Sequence, residues 1–493
     1  MTSKRPTYQH AREHAKNPHQ RNTRQAPNAR RGGTAGRGAG TSASRRGAGT
    51  SASRRAAGVH SAGASGRGTG TKNNAKTLIT RRRFLFGAAG VGVLAAAAGG
   101  GVYLASTMQN DDAPELSTLS VAEDQVSSLD ALTEVDASSA MSLIGNFSLP
   151  YGTLVWSNDD SVAACLLPTE QAKPLTQIGL LFLGSGECPT VVSEAVGQSE
   201  GFEIYDVRAC ASGIIWTEAD ILDGIWRVYA ASFDGNALGE ALLLDSGDSD
   251  WEMPTLAAVD GYAFWQVLPQ STGNASREKS LLKRAAFGSD DAEVIYSSTG
   301  RMSTPVYALA DAVVITPRTD TSTVHHQLTY IDARTGNVID AMVLPASMKP
   351  LEAGYGETGF TFCFDGIYSY GDGIANLGTY TPRTSVATTQ AADGIGNAAY
   401  SDTPWFRFPR NPTAAPAWCG QWLMVKSTSA VCGINLEENT YFAFDVKSGA
   451  ASYGDYLASS GSSSVVVTYS NIDYQPLDGE EQQYCNVRVW ACV

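Results

Sequence analysis

Histidine is scarce where chemistry would need it. Four of the six histidines, His10, His14, His19 and His60, fall within the first 60 residues, leaving the adjacent His325 and His326 for any nucleophilic triad or zinc site. Neighbouring residues on a strand point to opposite faces, so these two cannot line one site. An exposed strand or loop suits them better. Carboxylates are plentiful: Glu218, Asp220 and Asp223 fall in TEADILDG, and Asp248, Asp250 and Glu252 in GDSDWE, both with the composition of loops. Paired acids could perform glycosidase chemistry. The second cluster also spaces oxygen ligands as a calcium loop does and holds Trp251 for stacking on a sugar. It lacks the central glycine and terminal glutamate of an EF-hand, which makes Asp248, Asp250 and Glu252 a weak candidate metal site. Phosphate-cradling glycine loops are missing from the folded part, and no cofactor is implied.

The eight cysteines, Cys165, Cys188, Cys210, Cys363, Cys419, Cys432, Cys485 and Cys492, all stand in the C-terminal two thirds of the chain. An even number there is compatible with disulfides in an oxidising compartment, and the absence of any CxxC removes zinc-ribbon and thioredoxin-like readings. Cys485 and Cys492 flank the strand-like NVRVW; extended chain would hold them roughly 23 Å apart, too far to bridge each other. Any bond they make goes to a neighbouring strand or blade. Cys419 and Cys432 would oppose each other if a hairpin turned between Ser427 and Ser429, and are the best candidate pair.

The elements that must position these residues begin only after a long basic preface. Residues 1–83 carry 19 Lys and Arg against the single acid Glu13, while the other 410 residues carry 17 bases and 48 acids. Residues 1–79 are Arg, Gly, Ala, Ser and Thr with almost no large apolar side chains, the composition of a disordered tail. GAGTSASRR repeats in tandem within it, at Gly38–Arg46 and Gly47–Arg55. Arg31-Gly32-Gly33 resembles an RNA-binding RGG segment, but with Tyr8 as the tail's one aromatic, base stacking is unavailable and no nucleic-acid partner is expected. Residues 107–140 form an acidic Ser/Ala-rich stretch suited to a flexible stalk, with at most a short amphipathic helix around Val126–Val135.

Between these lies TRRRFLFGAAGVGVLAAAAGGGVYLAS, residues 80–106. Arg81 and Arg82, one further residue, then Phe84 and Leu85 head a 23-residue apolar run rich in Gly and Ala. The arrangement resembles the twin-arginine (Tat) signal of exported bacterial proteins. That resemblance implies passage through the Tat translocase. Basic before and acidic after the run, the charge balance also fits a cytoplasmic N-terminus. At roughly 1.5 Å per residue the run is long enough to cross a bilayer as a single anchor helix. No clean A-x-A site follows, which favours retention in the cytoplasmic membrane; cleavage would make the protein secreted instead.

From Met141 onward, short β-branched and aromatic runs alternate with Gly, Asp, Asn, Ser and Pro, which predicts an all-β fold over residues 141–493. Apolar segments recur at 153–156 (TLVW), 213–216 (GIIW), 262–265 (YAFW), 313–316 (VVIT), 359–362 (GFTF), 422–425 (WLMV) and 465–468 (VVVT), about 52 residues apart on average. Pro254, Pro305 and Pro350 stand eight or nine residues before three of them, as suits strand starts. Second strands closed by turns follow, most clearly LTYIDARTG (328–336) and YFAFDVKSG (441–449). Three to four strands per roughly 50 residues matches a β-propeller blade, and seven leading segments predict seven blades. The strand-and-turn pattern resembles quinoprotein-like and TolB-like propeller families over about residues 145–493. Quinone enzymes of that kind use adjacent cysteines; no Cys-Cys pair occurs here, so the cofactor is not carried over. The last repeat is short, with NVRVWACV (486–493) as its remaining strong strand, so MSLIGNFSLP (141–150) is expected to complete its sheet. The function expected is a membrane-tethered, non-catalytic binding or scaffold module for an extracytoplasmic protein or glycan. The alternative is a cell-envelope hydrolase or lyase with carboxylates in the propeller funnel.

Overall fold

The computed structural model describes residues 126–128, 131–169, 177–235, 237–273, 277–319, 324–344, 349–356, 359–364, 378–380, 405–407, 414–427, 430–475 and 482–493. Arg81, Arg82, Phe84, Leu85 and the apolar run behind them lie outside these residues. Among the described residues no helix is long and apolar enough to cross a membrane.

The described residues are almost entirely strands, arranged in seven sheets of three or more strands and one parallel pair. In chain order, the first sheet joins Leu154–Trp156, Val162–Leu167, Gln177–Phe182 and Thr190–Val192. The second runs through Glu203–Cys210, Gly213–Asp220, Ile225–Ser232 and Leu242–Gly247. The third takes Thr255–Val259, Tyr262–Val267, Ser280–Ala286 and Glu293–Ser298. The fourth takes Tyr307–Ala308, Ala312–Ile315, Gln327–Asp332 and Val338–Val343. Pro350–Gly356, Gly359–Phe364 and Gly378–Tyr380 form the fifth. The sixth is built on Ala417–Cys419, Trp422–Lys426, Val431–Asn435 and Thr440–Ala443. In the seventh, Tyr456–Leu457, Val465–Tyr474 and Gln482–Cys492 are followed by Met141–Leu149 from the other end of the domain. Each of these is an antiparallel meander.

Second strands carry the packing. Val162–Leu167, Ala312–Ile315 and Trp422–Lys426 are buried at every position, because neighbouring sheets cover both faces. Most of the repeated apolar segments seen in the sequence are these second strands. Thr153–Trp156 is not: it overlaps a first strand, and Val162–Leu167 is the true counterpart, which accounts for the long first interval. The turn reading holds in detail. Asp332 Oδ1 accepts from Thr335 N and Oγ1, and Gly336 takes a positive φ of 71°.

The sheets pack in cyclic order. One apolar cluster joins the first to the second through Ile178, Trp216 and Tyr229. Others join the second to the third, the third to the fourth, and the fourth to the fifth. Gly356 of the fifth lies against the Trp418 ring of the sixth. The sixth meets the seventh around Phe442, Phe444 and Val466, and the seventh returns to the first through Val467, Val487 and Leu181. Meander sheets packed face to face in such an order are a β-propeller fold. Met141–Leu149 pairs antiparallel with Gln482–Cys492 from Met141↔Cys492 to Leu149↔Cys485, so strands from the start and the end of residues 141–493 share one sheet.

Two expectations need correcting. The stretch at 107–140 is not all stalk: Leu132 is buried with Trp418, Leu423 and Ile434, and Thr133–Glu134 adds a parallel strand beside Thr440–Ala443. Val126–Ser128 likewise pairs with Trp405–Arg407, so the region read as a short helix supplies strands, with one helical turn only at Ala137–Ala140. Leu132 supplies the apolar contact that sequence composition alone hides. The disulfide is also different. Cys419 bonds Cys492, with Cα atoms 6.3 Å apart, joining the sixth and seventh sheets. The hairpin at Ser427 does form, but it sets Cys432 opposite Val425, whereas Cys419 lies one strand earlier opposite Trp422. Cys485 and Cys492 are not joined to each other.

Candidate functional site

First strands of neighbouring sheets converge, and hydrogen bonds cross between them. Asn158 Nδ2 reaches from the first sheet to donate to Ala258 O of the third at 2.7 Å. The segment from Ala458 to Ser464, ASSGSSS, crosses between sheets. Ser157 N donates to Ala458 O at 3.0 Å and Ser460 N to Ser157 O at 2.8 Å. Gly461 N donates to Tyr307 Oη of the fourth sheet at 2.7 Å, and that hydroxyl donates to Pro416 O beside the sixth, also at 2.7 Å. Gly461–Ser463 pairs in parallel with Ala417–Cys419, and Ser463 and Ser464 donate to Asp160 Oδ1. Burial pushes the Tyr307 phenol well above its usual range, so it keeps its proton and remains a donor. One short segment thus ties the first, fourth and sixth sheets together.

The acids singled out in the sequence gather at one end of the second sheet. Glu218 is on a strand and not a loop. It is fully buried, and its carboxylate accepts from Val196 N at 2.7 Å, Gly197 N at 2.9 Å and Trp216 Nε1 at 3.0 Å. It is a strut that anchors the 195–201 loop and has no face toward a substrate. Asp220 Oδ1 caps the next turn through Leu222 N and Asp223 N. Gly224 of that turn stands against Ser249, so the two acidic turns adjoin.

Asp248, Asp250 and Glu252 do not make a metal centre. Asp248 Oδ1 closes its own turn on Asp250 N, while Glu252 pairs with Arg301 at 2.5 Å. A carboxylate committed to a guanidinium is a poor cation ligand, and no group of three or more His, Cys, Asp or Glu among the described residues is placed to hold a metal. Trp251 is half-buried, its carbonyl accepting from Gln270 Nε2.

What the sequence did not single out is the apolar tip of this rim. Leu222 is 96% exposed, with Ile221, Ile225 and Val196 also exposed close by. Asp220 and Asp223 share this turn, the turn of Asp248 and Asp250 adjoins it where Gly224 meets Ser249, and Glu200 on the 195–201 loop is paired with Arg227. The signal was present as ILDGI between two acids, but a hairpin tip is ordinarily polar, and only the fold shows that these side chains have nothing to pack on.

The histidines correct another expectation. His326 is buried, not exposed, and burial, with the charges of Arg318 and Lys349, lowers its pKa to about 4, so it is neutral near pH 7. His325 Nδ1 lies 3.0 Å from Leu344 O. No nucleophile and carboxylate are arranged around either ring among the described residues. The most displaced carboxyl is elsewhere. Glu352, partly buried on Pro350–Gly356 opposite Cys363, is pushed up to about 7 by burial. Folding therefore favours its protonated form. Between its ordinary 4.5 and 7 the folded state binds more protons than the unfolded one, so this residue's contribution to stability falls as pH rises through that window. Glu352→Gln is expected to gain up to about 3 kcal/mol over the native chain at pH 8 and little at pH 4, read from denaturant unfolding at both pH values. Equal stability of the two proteins at pH 8 would refute the shift.

No protein-family model matches the sequence, and no curated protein matches it. Solved structures share its architecture at low similarity. A prolyl endopeptidase structure aligns at 10% identity and a TM-score of 0.42 over 72% of this chain, which spans 48%, about half, of that protein's length. BamB from Moraxella catarrhalis aligns at 10% identity and 0.34, covering 71% of this chain and 99% of BamB. The propeller domain of the Trilobed protease from Pyrococcus furiosus aligns at 9% identity and 0.38, covering 68% and 96%. The cyclic packing of the sheets, and not these likenesses, makes the fold a propeller.

Proposed function

We propose that the chain is an exported, membrane-tethered propeller of seven blades, closed by Met141–Leu149, that binds an extracytoplasmic protein at the rim of its second blade without catalysis. The observation that carries this reading is the exposed Leu222 tip beside Ile221 and Ile225, with Asp220 and Asp223 on the same turn and the Asp248–Asp250 turn next to it. Solvent-exposed leucine gains by burial, and the adjoining acids favour a partner surface that is basic around an apolar centre. A glycan would need stacking aromatics, and the half-buried Trp251 is the one such side chain on these turns. Export rests on Arg81 and Arg82: changing both to lysine keeps the charge but removes what the Tat receptor reads, and is expected to leave the acidic domain in the cytoplasm.

The test of the binding site is site-specific photo-cross-linking in intact cells, with the probe placed at position 222 and, as control, at the exposed Asp290 in the turn between Ser280–Ala286 and Glu293–Ser298 of the third sheet. A discrete adduct with one extracytoplasmic protein at 222, lost in an Ile221→Asp background and absent at 290, is expected. Equal labelling at both positions, or adducts with polysaccharide only, would overturn the protein-binding reading. The enzyme alternative has one observation in its favour, the raised Glu352 carboxyl, which suits a general acid. Its shift comes from burial, to which no other acid among the described residues contributes, whereas glycoside hydrolysis needs a pair.

A further inference from the structure

Two cysteines outside the 419–492 bond stand side by side in the first sheet. Cys165 lies on Val162–Leu167, fully buried, directly opposite Gly179 of Gln177–Phe182. Residues paired across antiparallel strands put their side chains on the same face, about 5 Å apart at Cβ. Gly179 leaves that place empty, and Cys188 fills it: a Cβ built on Gly179 would lie 2.8 Å from Cys188 Sγ. The chain returns for this purpose, with Leu180 N donating to Pro189 O and Phe182 N to Glu187 O on either side of Cys188. Cys188 is half-exposed in a turn whose neighbours Glu187 and Pro189 face solvent. Neither thiol is in a disulfide.

We propose that Cys165 and Cys188 are a dithiol site that accepts oxidising equivalents from a disulfide donor and closes to an intramolecular bond. Cys188 packs against the apolar cluster that holds Cys165, and the interaction of the two thiols lowers the Cys188 pKa while, with burial, it raises that of Cys165. Cys165 is fully buried and Cys188 is half-exposed, so Cys188 is the thiol that a donor can reach and the one that attacks. Its thiolate displaces one thiolate from the donor disulfide, giving a mixed disulfide on Cys188 and breaking the donor S–S bond. Cys165, losing its proton, then attacks the Cys188 sulfur and releases the donor's second half. Two protein thiols are oxidised by two electrons, the donor disulfide is reduced to two thiols, and the two protons end on those thiols. Gly179 is what makes the approach possible, since any side chain there would stand between the sulfurs. Cys485 lies in the same apolar cluster, but its thiol faces Thr153 O at 3.6 Å, and it is buried.

The experiment uses the full chain, solubilised in detergent, reduced and then incubated with oxidised glutathione. Remaining thiols are alkylated in denaturant and peptides are mapped without reduction. Loss of alkylation at both Cys165 and Cys188, with a linked 165–188 peptide at least tenfold more abundant than any link to Cys485, is the expected result. In Cys165→Ala, stable glutathione adducts should accumulate on Cys188; in Cys188→Ala, Cys165 should stay alkylatable. The wild-type map alone decides the matter if either variant fails to fold. A wild-type chain that keeps both thiols while Cys419–Cys492 re-forms, or that links Cys188 to Cys485, would overturn the assignment.

Discussion

Gly461→Ala is expected to cost the fold about 3 kcal/mol, seen as a lowered denaturation midpoint at unchanged slope. Gly461 has φ +81°, where a Cβ is disfavoured by roughly 1–2 kcal/mol. A Cβ there would also lie 2.7 Å from Ala308 O, a backbone atom that cannot turn aside. Forcing such an overlap typically costs about 1–3 kcal/mol more. Gly261 supplies the control, because it has the same φ of +81° with nothing within 4 Å of its missing Cβ. Gly261→Ala should therefore show the conformational cost alone, about 1 kcal/mol. If both variants lose the same amount, the 458–464 segment is not packed against the fourth sheet as described.

The second large effect is electrostatic. Asp455 is 2% exposed, and its Oδ2 accepts from Arg488 Nε at 2.8 Å, Arg488 Nη2 at 2.6 Å and Thr468 Oγ1 at 2.7 Å. Arg488 sits on the strand that receives Met141–Leu149, opposite Asn146, and its guanidinium also lies over the Trp490 ring. Arg488→Met removes the cation and leaves a buried carboxylate with one hydroxyl, an expected loss of about 3–5 kcal/mol. Removing the pair together, Asp455→Leu with Arg488→Met, should recover most of that loss, because the uncompensated charge goes with it. A double variant as unstable as Arg488→Met would show that packing of the arginine stem, not charge, carries the effect.

Much of this fold is legible in the sequence, because second strands buried on both faces spell unbroken apolar runs such as YAFW and WLMV. The first repeat is the exception: TLVW looks like its siblings through a terminal Trp, while the true second strand, VAACLL, lacks any aromatic. The tie through ASSGSSS could not be read, since seven small residues, five of them serine, have the composition of an ordinary loop. Its role depends on Gly461 meeting Tyr307, 154 residues away in sequence. Disulfide pairing was hidden for the same reason: Cys419 and Cys492 meet through the packing of two sheets, which no local spacing records. Glu218 was recognised as chemically notable, yet only the amides of Val196 and Gly197 reveal it as a strut. The thiol pair needed Gly179, an unremarkable glycine until its cross-strand partner is known.

Closure of the ring by Met141–Leu149 pairing with Gln482–Cys492 is the claim on which the proposed propeller rests. Deleting Asn486–Val493 removes the partner of Met141–Leu149 and also the Cys419–Cys492 bond, so Cys419→Ala with Cys492→Ala serves as reference. Calorimetric melting of the two proteins tests the claim directly. The account predicts that the disulfide-free reference melts as one cooperative transition, somewhat below the native chain, and that the truncated chain loses that transition as a whole, because its sheet edges and the cores on either side open together. A truncated chain that keeps the reference's transition would contradict closure and make the sheets independent units.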